Sequence, residues 1–275
     1  MDYETTTWRL IEHAPAKGAW NMAVDEAILE SVYKGDSLPT LRLYAWEPAC
    51  LSLGHAQPFS EVNTQALAEK GWDVVRRPTG GRAILHVDEL TYAVIAPEDE
   101  PRVRGGVLES YLRLSEALLE SLHILGLSPR AEEKTQKTKK EKPNPVCFEV
   151  PSNYEITVNG KKLIGSAQAR RKEGILQHGA LPLYGDLTRI ITALEFSNND
   201  KKEIAKSSLL SHATTVEREL GHPVSWMQAN DAFKQAFQKV LNLELDPSAL
   251  TKHELDRVEA LMRTKYAHPS WTERI

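Results

Sequence analysis

The sequence of 275 residues is 41% hydrophobic and 26% charged, with a formal net charge of −4, the composition of an ordinary globular protein. That length suits one large domain or one domain with a small appendage, and a nearly balanced charge argues against nucleic acid as a partner. No apolar run approaches the ~18 residues that span a bilayer, and the opening MDYETTTWRLIEH lacks an export signal, so a cytoplasmic protein without a membrane partner is expected.

Alternating helix and strand signals predict a mixed α/β domain. Residues 21–34 (NMAVDEAILESVYK) read as a helix, with Asn21 as N-cap, Asp25 and Glu26 near the positive end of its dipole, and Gly35 closing it. Strands are expected at 41–46 and 51–54, a helix at about 61–70 ending at Gly71, an extended run at 72–77, and a β-branched strand at 91–96. The longest helix signal runs over 107–125, where Leu108, Tyr111, Leu112, Leu118, Leu119 and Leu122 recur at helical spacing before Gly126. Residues 131–145 (AEEKTQKTKKEKPNP) form a lysine-rich loop, either simply solvated or touching an acidic partner or a phosphate-bearing substrate.

The clearest local signal is YEITVNGKKLIGSA at 154–167, where Asn159-Gly160 is the preferred two-residue hairpin turn. A two-residue turn pairs Val158 with Lys161, Thr157 with Lys162 and Ile156 with Leu163, which puts Lys162 on the face of Glu155, Thr157 and Ile164. Helical patches follow at 228–241 and 251–265, and a soft boundary near 245–247 divides a main domain (1–245) from a short helical extension (246–275).

Three segments have the residue types of a site. In RRPTGGRAILH, glycines Gly80 and Gly81 allow a ligand close to backbone N–H groups, Arg76 and Arg77 offer planar forks to phosphate or carboxylate, and Thr79 and His86 flank them; the plain reading is a tight turn. In PVCFEVPSNY, Cys147 follows the cationic loop and is either a small buried hydrophobe or a nucleophile, favoured as thiolate if Lys137, Lys139 or Lys140 folds close. In KKLIGSAQARRKEGILQHGALPL, Gly165, Ser166 and Ala167 are small enough for a ligand to lie against the strand. His178-Gly179 is a substrate contact or a hydrogen-bonded core histidine, and Lys162 is a functional amine or an exposed strand lysine paired with Glu155. The two cysteines, Cys50 and Cys147, stand far apart without metal-ligand spacing, so no metal site is expected and a reducing compartment fits.

Taken in order, RRPTGGRAILHVDELTYAVI and GKKLIGSAQARRKEGILQHGALPL resemble the two signatures of the biotin/lipoyl protein ligase superfamily, a likeness spanning about 20–245. The resemblance implies a mixed, largely antiparallel sheet flanked by helices, related to class II synthetases, and an acyl-group pocket lined by the arginine–glycine–glycine–histidine segment. VCFEVPSNYEI resembles the cysteine-bearing octanoyltransferases of Gram-positive bacteria, whose Cys-Phe-acidic-x-Pro-Ser-x-Tyr-Glu pattern falls on Cys147, Phe148, Glu149, Pro151, Ser152, Tyr154 and Glu155. By that resemblance Cys147 is the nucleophile that carries an acyl-thioester, Lys162 lowers its pKa, and Cys50 is packing. Arg76, Arg77, Thr79, Gly80, Gly81, His86, Gly165, Ser166, Ala167, His178 and Gly179 bind substrate. The donor implied is octanoyl-acyl carrier protein and the acceptor a lysine of a lipoyl domain, the glycine-cleavage carrier protein being one such domain; no cofactor is required. The alternatives are an ATP-dependent lipoate–protein ligase, in which the arginines and glycines hold phosphate, a non-catalytic carrier-protein-binding module, and, more remotely, a biotin ligase.

Overall fold

The computed structural model describes residues 3–133 and 154–275. Its elements begin with β1 (Thr6–Glu12), α1 (Gly18–Lys34), β2 (Thr40–Tyr44), β3 (Cys50–Leu53), α2 (Thr64–Lys70), β4 (Asp73–Arg76), β5 (Ile84–His86) and β6 (Glu89–Ala96). There follow α3 (Val107–Ile124), β7 (Pro129–Glu133), β8 (Tyr154–Val158), β9 (Lys161–Arg171) and β10 (Gly174–Pro182). The last part holds α4 (Arg189–Thr192), α5 (Asn199–His212), α6 (Val216–Leu220), α7 (Trp226–Leu241), β11 (Leu243–Pro247), α8 (Lys252–Leu261) and α9 (Pro269–Thr272).

Eight strands form one sheet in the order β11-β1-β2-β6-β10-β9-β8-β7, and β4-β3-β5 form a second. β1 pairs in parallel with β11 and β2; the other pairs of the large sheet are antiparallel. The expected mixed, mainly antiparallel architecture is therefore present. One face of the large sheet packs Leu41, Leu43, Leu90, Tyr92 and Val94 against α3 and α7, through Leu114, Leu118, Phe233 and Phe237. The opposite face packs Ala93, Ile95 and Leu176 against Met22, Val24 and Ile28 of α1. The small sheet has its own core with α2, α4 and α5, built on Leu51, Leu53, Ile84, Ile191 and Leu209.

Several elements differ from expectation for identifiable reasons. Helix α1 starts at Gly18, one turn before Asn21, because Asn21 does not cap. Its buried amide donates to the carbonyls of Ala16 (3.2 Å) and Ala45 (3.1 Å) and accepts from Arg42 (2.7 Å). Gly35 closes the helix at φ 76°, as the sequence signalled. The segment after 245 does not stand apart: β11 crosses the expected boundary and pairs with β1, α8 packs on α1, and Glu254 accepts from the buried Arg9 at 2.7 Å.

The hairpin holds the finding that matters most for the site. Val158 pairs with Lys161 and Thr157 with Lys162, but a bulge then pairs Ile156 with Ile164 instead of Leu163. Leu163 and Ile164 both enter the core beneath α3, so every later residue of β9 faces the side opposite to simple alternation. Lys162 consequently shares a face with Gly165 and Ala167, not with Ile164.

Candidate active site

A narrow slot opens between the α1-side face of the large sheet and the small sheet. Its floor crosses neighbouring strands: Gly165, Ser166 and Ala167 of β9, His178, Gly179 and Ala180 of β10, Thr91 of β6 and Tyr44 of β2. Its roof is Ser52, Arg77, Gly81, Ile84 and His86, and Met22 and Trp46 also line it. Strands lie ~4.8 Å apart, so four of them give a floor roughly 14 Å wide. That is long enough for a medium-length alkyl chain, and the lining is mostly apolar.

Close packing fixes the glycines around the slot, Gly179 on the Tyr92 face of the sheet and Gly54 under the loop of Gly81. A side chain at Gly179 would lie 2.7 Å from Gly165 O, Ser166 Oγ and a Tyr92 ring carbon, and one at Gly54 would lie 1.9 Å from the carbonyl oxygen of Gly81. Gly54, which sequence reasoning passed over, therefore lets the glycine pair fold down onto the slot. Gly81 takes φ 91°, a conformation natural only to glycine.

The arginines of RRPTGG hold that loop instead of presenting free forks. Arg76 is fully buried and donates to the carbonyls of Gly54 (2.9 Å), Gln57 (2.5 Å) and Thr272 (2.8 Å), stitching the C-terminal segment to the loop. Arg77 does border the slot, yet donates to Ser52 O (2.9 Å), Gly80 O (2.8 Å) and Arg82 O (2.8 Å). The expected phosphate or carboxylate forks are met by protein carbonyls, because a loop of tight turns leaves many acceptors unpaired by secondary structure.

Two buried hydroxyl–imidazole–carboxylate chains flank the slot. Thr79 Oγ1 lies 2.7 Å from His178 Nε2, and His178 Nδ1 lies 3.4 Å from Asp25 Oδ2. Asp25 is fully buried; Arg42 donates to it at 2.6 Å and Tyr44 at 3.1 Å, and Arg42 together with His178 outweighs burial in holding its pKa down. Burial depresses the pKa of His178, against the pull of Asp25. In the second chain Ser52 Oγ lies 2.7 Å from His86 Nε2, His86 Nδ1 lies 2.6 Å from Glu89, and the ring stacks on Trp46 at 4.0 Å. Asp25, Ser52 and Glu89 gave no sequence signal. Asp25 looked like a helix-dipole residue, and only the fold brings it under β10.

Lys162 is buried, not exposed, and its Nζ lies 3.3 Å from Glu155 Oε1. Cys147 falls outside the described residues, as do Lys137, Lys139 and Lys140. Cys50 is fully buried, its thiol pushed well above its ordinary pKa by burial, and a side chain at Gly18 would meet its sulfur at 2.4 Å. It is a packing residue. The structure thus gathers Arg77, Gly81, His86, Gly165, Ser166, Ala167, His178 and Gly179 around one slot, with Thr79 and Gly80 on its loop and Arg76 behind it.

A family model described as the lipoyl protein ligase A/B catalytic domain matches residues 17–238. The chain belongs to that family. Among its relatives in the family, octanoyltransferase LipM of Lysinibacillus sphaericus is 41% identical over 97% of this chain and 98% of its own. The corresponding proteins of Bacillus subtilis (39%; 96% and 97% covered) and Staphylococcus aureus (38%; 98% and 99%) are nearly as similar. Similar solved structures are the bipartite lipoate protein ligase of Thermoplasma acidophilum with its E2 lipoyl domain (TM-score 0.81, 25% identity, 98% and 96% covered) and lipoate-protein ligase A bound with ATP (TM-score 0.79, 25% identity, 97% and 98%). The family fold, read first from two signature segments, thus extends over the whole described chain.

Proposed function

We propose that this chain is an octanoyltransferase of lipoate biosynthesis that moves an octanoyl group from octanoyl-acyl carrier protein, through a thioester on Cys147, to a lysine of a lipoyl domain in the cytoplasm. The observation that carries this reading is the apolar slot ending at Gly81 and Gly165, with Lys162 turned to the same face by the β9 bulge. Relatives named octanoyltransferase, matched over nearly their full length, support the transferase over the ATP-dependent ligase.

In this reading the octanoyl tail fills the slot and its thioester carbonyl rests at the glycines. The Cys147 thiolate attacks that carbonyl, the carrier's pantetheine thiolate leaves, and an acyl-enzyme remains. The acceptor lysine amine then attacks the new thioester, the cysteine leaves, and an amide forms. The first exchange is one thioester for another and nearly balanced; the second is downhill, so no ATP is needed. A free thiol with pKa about 8.5 is only a few per cent ionised at neutral pH, and a neighbouring ammonium favours the thiolate. Lys162 supplies that charge, with Glu155 fixing its position and offsetting part of its field. In the same reading, backbone N–H groups near Gly165 and Ala167 stabilise the oxyanion.

The test is transfer from octanoyl-acyl carrier protein to a lipoyl domain without ATP, followed by the mass of the domain. A gain of one octanoyl group is expected. Pyrophosphate release on adding ATP and lipoate would point to the ligase, and tight association without mass change to a binding module.

A further inference from the structure

The bulge in β9 fixes one line of side chains along the face that floors the slot: Lys162, Gly165, Ala167, Ala169 and Arg171. A cation stands at each end and only small residues between. The slot uses Gly165 and Ala167. Beyond it an open groove continues past Ala169 to Arg171, and Gly81 borders both spaces. From Gly165 to Arg171 the strand advances roughly 20 Å, at ~3.3 Å per residue.

The groove is positively charged. Among the described residues the side chain of Arg171 has neither hydrogen bond nor ion pair, although the residue is half-buried. Arg170 is pinned nearby by Gln168 Oε1 (3.0 Å) and Val103 O (2.6 Å). Arg274 donates to His55 O at 2.7 Å, its guanidinium 4.2 Å over the Trp271 ring. His55 borders the groove; burial and then Arg274, Arg171, Arg76 and Lys265 lower its pKa. Lys265 is balanced by Glu26 at 2.6 Å, and among the described residues no carboxylate borders the groove.

We infer that this groove seats the phosphate of the donor's phosphopantetheine arm, with Arg171 as the group that meets it. The assignment rests on the octanoyl-transfer reading above. Such an arm extends on the order of 15 Å from sulfur to phosphorus at ordinary bond lengths, and with the reach of an arginine side chain, on the order of 5 Å, it spans the run from Gly165 to Arg171. Glycine and alanines let the arm lie against the strand, and a guanidinium without a side-chain bond among the described residues suits a phosphate oxygen pair.

The experiment compares octanoyl-pantetheine, octanoyl-phosphopantetheine and octanoyl-acyl carrier protein as donors to a lipoyl domain, for the wild-type chain, Arg171→Ala and Arg171→Lys. For Arg171→Ala, the ratio of kcat/KM with the phosphorylated arm to kcat/KM with the unphosphorylated arm should fall about tenfold, mostly through KM, with partial recovery in Arg171→Lys. An unchanged ratio overturns the assignment, and so does a loss confined to the carrier-protein donor, which would place Arg171 against the carrier's acidic surface. ATP is the control for the other phosphate source: inhibition of octanoyl-pantetheine turnover that Arg171→Ala relieves would give the groove to a nucleotide. If the wild-type chain turns over none of the donors, the octanoyl-transfer reading itself fails.

Discussion

Thr79 Oγ1 sits 2.7 Å from Nε2 of His178, tying the loop of the glycine pair to the slot floor by one buried bond. Asp25 lies at the other ring nitrogen, so the proton belongs on Nδ1, and Nε2 accepts from Thr79. Thr79→Val keeps the volume and removes the donor, leaving a buried nitrogen unpaired at a cost of about 1–3 kcal/mol. Denaturant unfolding should show that loss, with most of it restored in Thr79→Ser. Equal stability of wild type and Thr79→Val would contradict the bond.

Acid should weaken the fold through its neutral histidines. His13 is lowered to about 4, first by burial and then by Arg42, whose Nε donates to His13 Nδ1 at 3.2 Å. The unfolded chain has a histidine pKa of about 6.5, so above that value neither state binds the proton and His13 adds no pH dependence. As pH falls from there toward 4 the unfolded state is protonated first, and stability is lost. His178, also lowered, acts in the same direction. Guanidinium midpoints should therefore decline between pH 7 and pH 5, and less steeply in His13→Asn. Parallel declines in the two proteins would refute this.

Gly54→Ala probes the fit of the glycine loop. The added carbon would sit 1.9 Å from Gly81 O, against backbone that cannot rotate away. Overpacking of this kind costs about 1–3 kcal/mol. Because the displaced residue lines the slot, KM for the octanoyl donor should rise by more than stability falls. A folded variant with normal KM would mean that Gly81 does not border bound acyl chain.

Lys162→Ala should shift alkylation of Cys147 by iodoacetamide to higher pH. A shift of one pKa unit corresponds to about 1.4 kcal/mol. Cys50, fully buried, serves as the unreactive reference in the same protein. An unchanged profile would remove Lys162 from the activating role.

Much of this arrangement was legible because local chemistry dictated it. Asn159-Gly160 set the hairpin turn, and Thr157 pairs with Lys162 as the turn requires. One residue further the reading failed, since nothing in Leu163-Ile164 announces that both enter the core. That single bulge decides that Gly165 and Arg171 face the same way as Lys162. β1 was missed because TTWRLIE sits inside the sheet, covered on both faces, and so shows no alternation; its Arg9 is neutralised by Glu254, far along the chain. α5 was missed because only Ala205 and Leu209 are buried in its 14 residues. In the site, glycines and histidines carried the signal, whereas Asp25, Ser52 and Glu89 act through contacts that only the fold creates.

The most direct measurement is the intact mass of the protein after brief exposure to octanoyl-acyl carrier protein without ATP. The account predicts one added octanoyl group, labile to hydroxylamine, on the peptide containing Cys147, and none in Cys147→Ser. An unmodified protein, an adduct elsewhere, or full transfer activity in Cys147→Ser would contradict it.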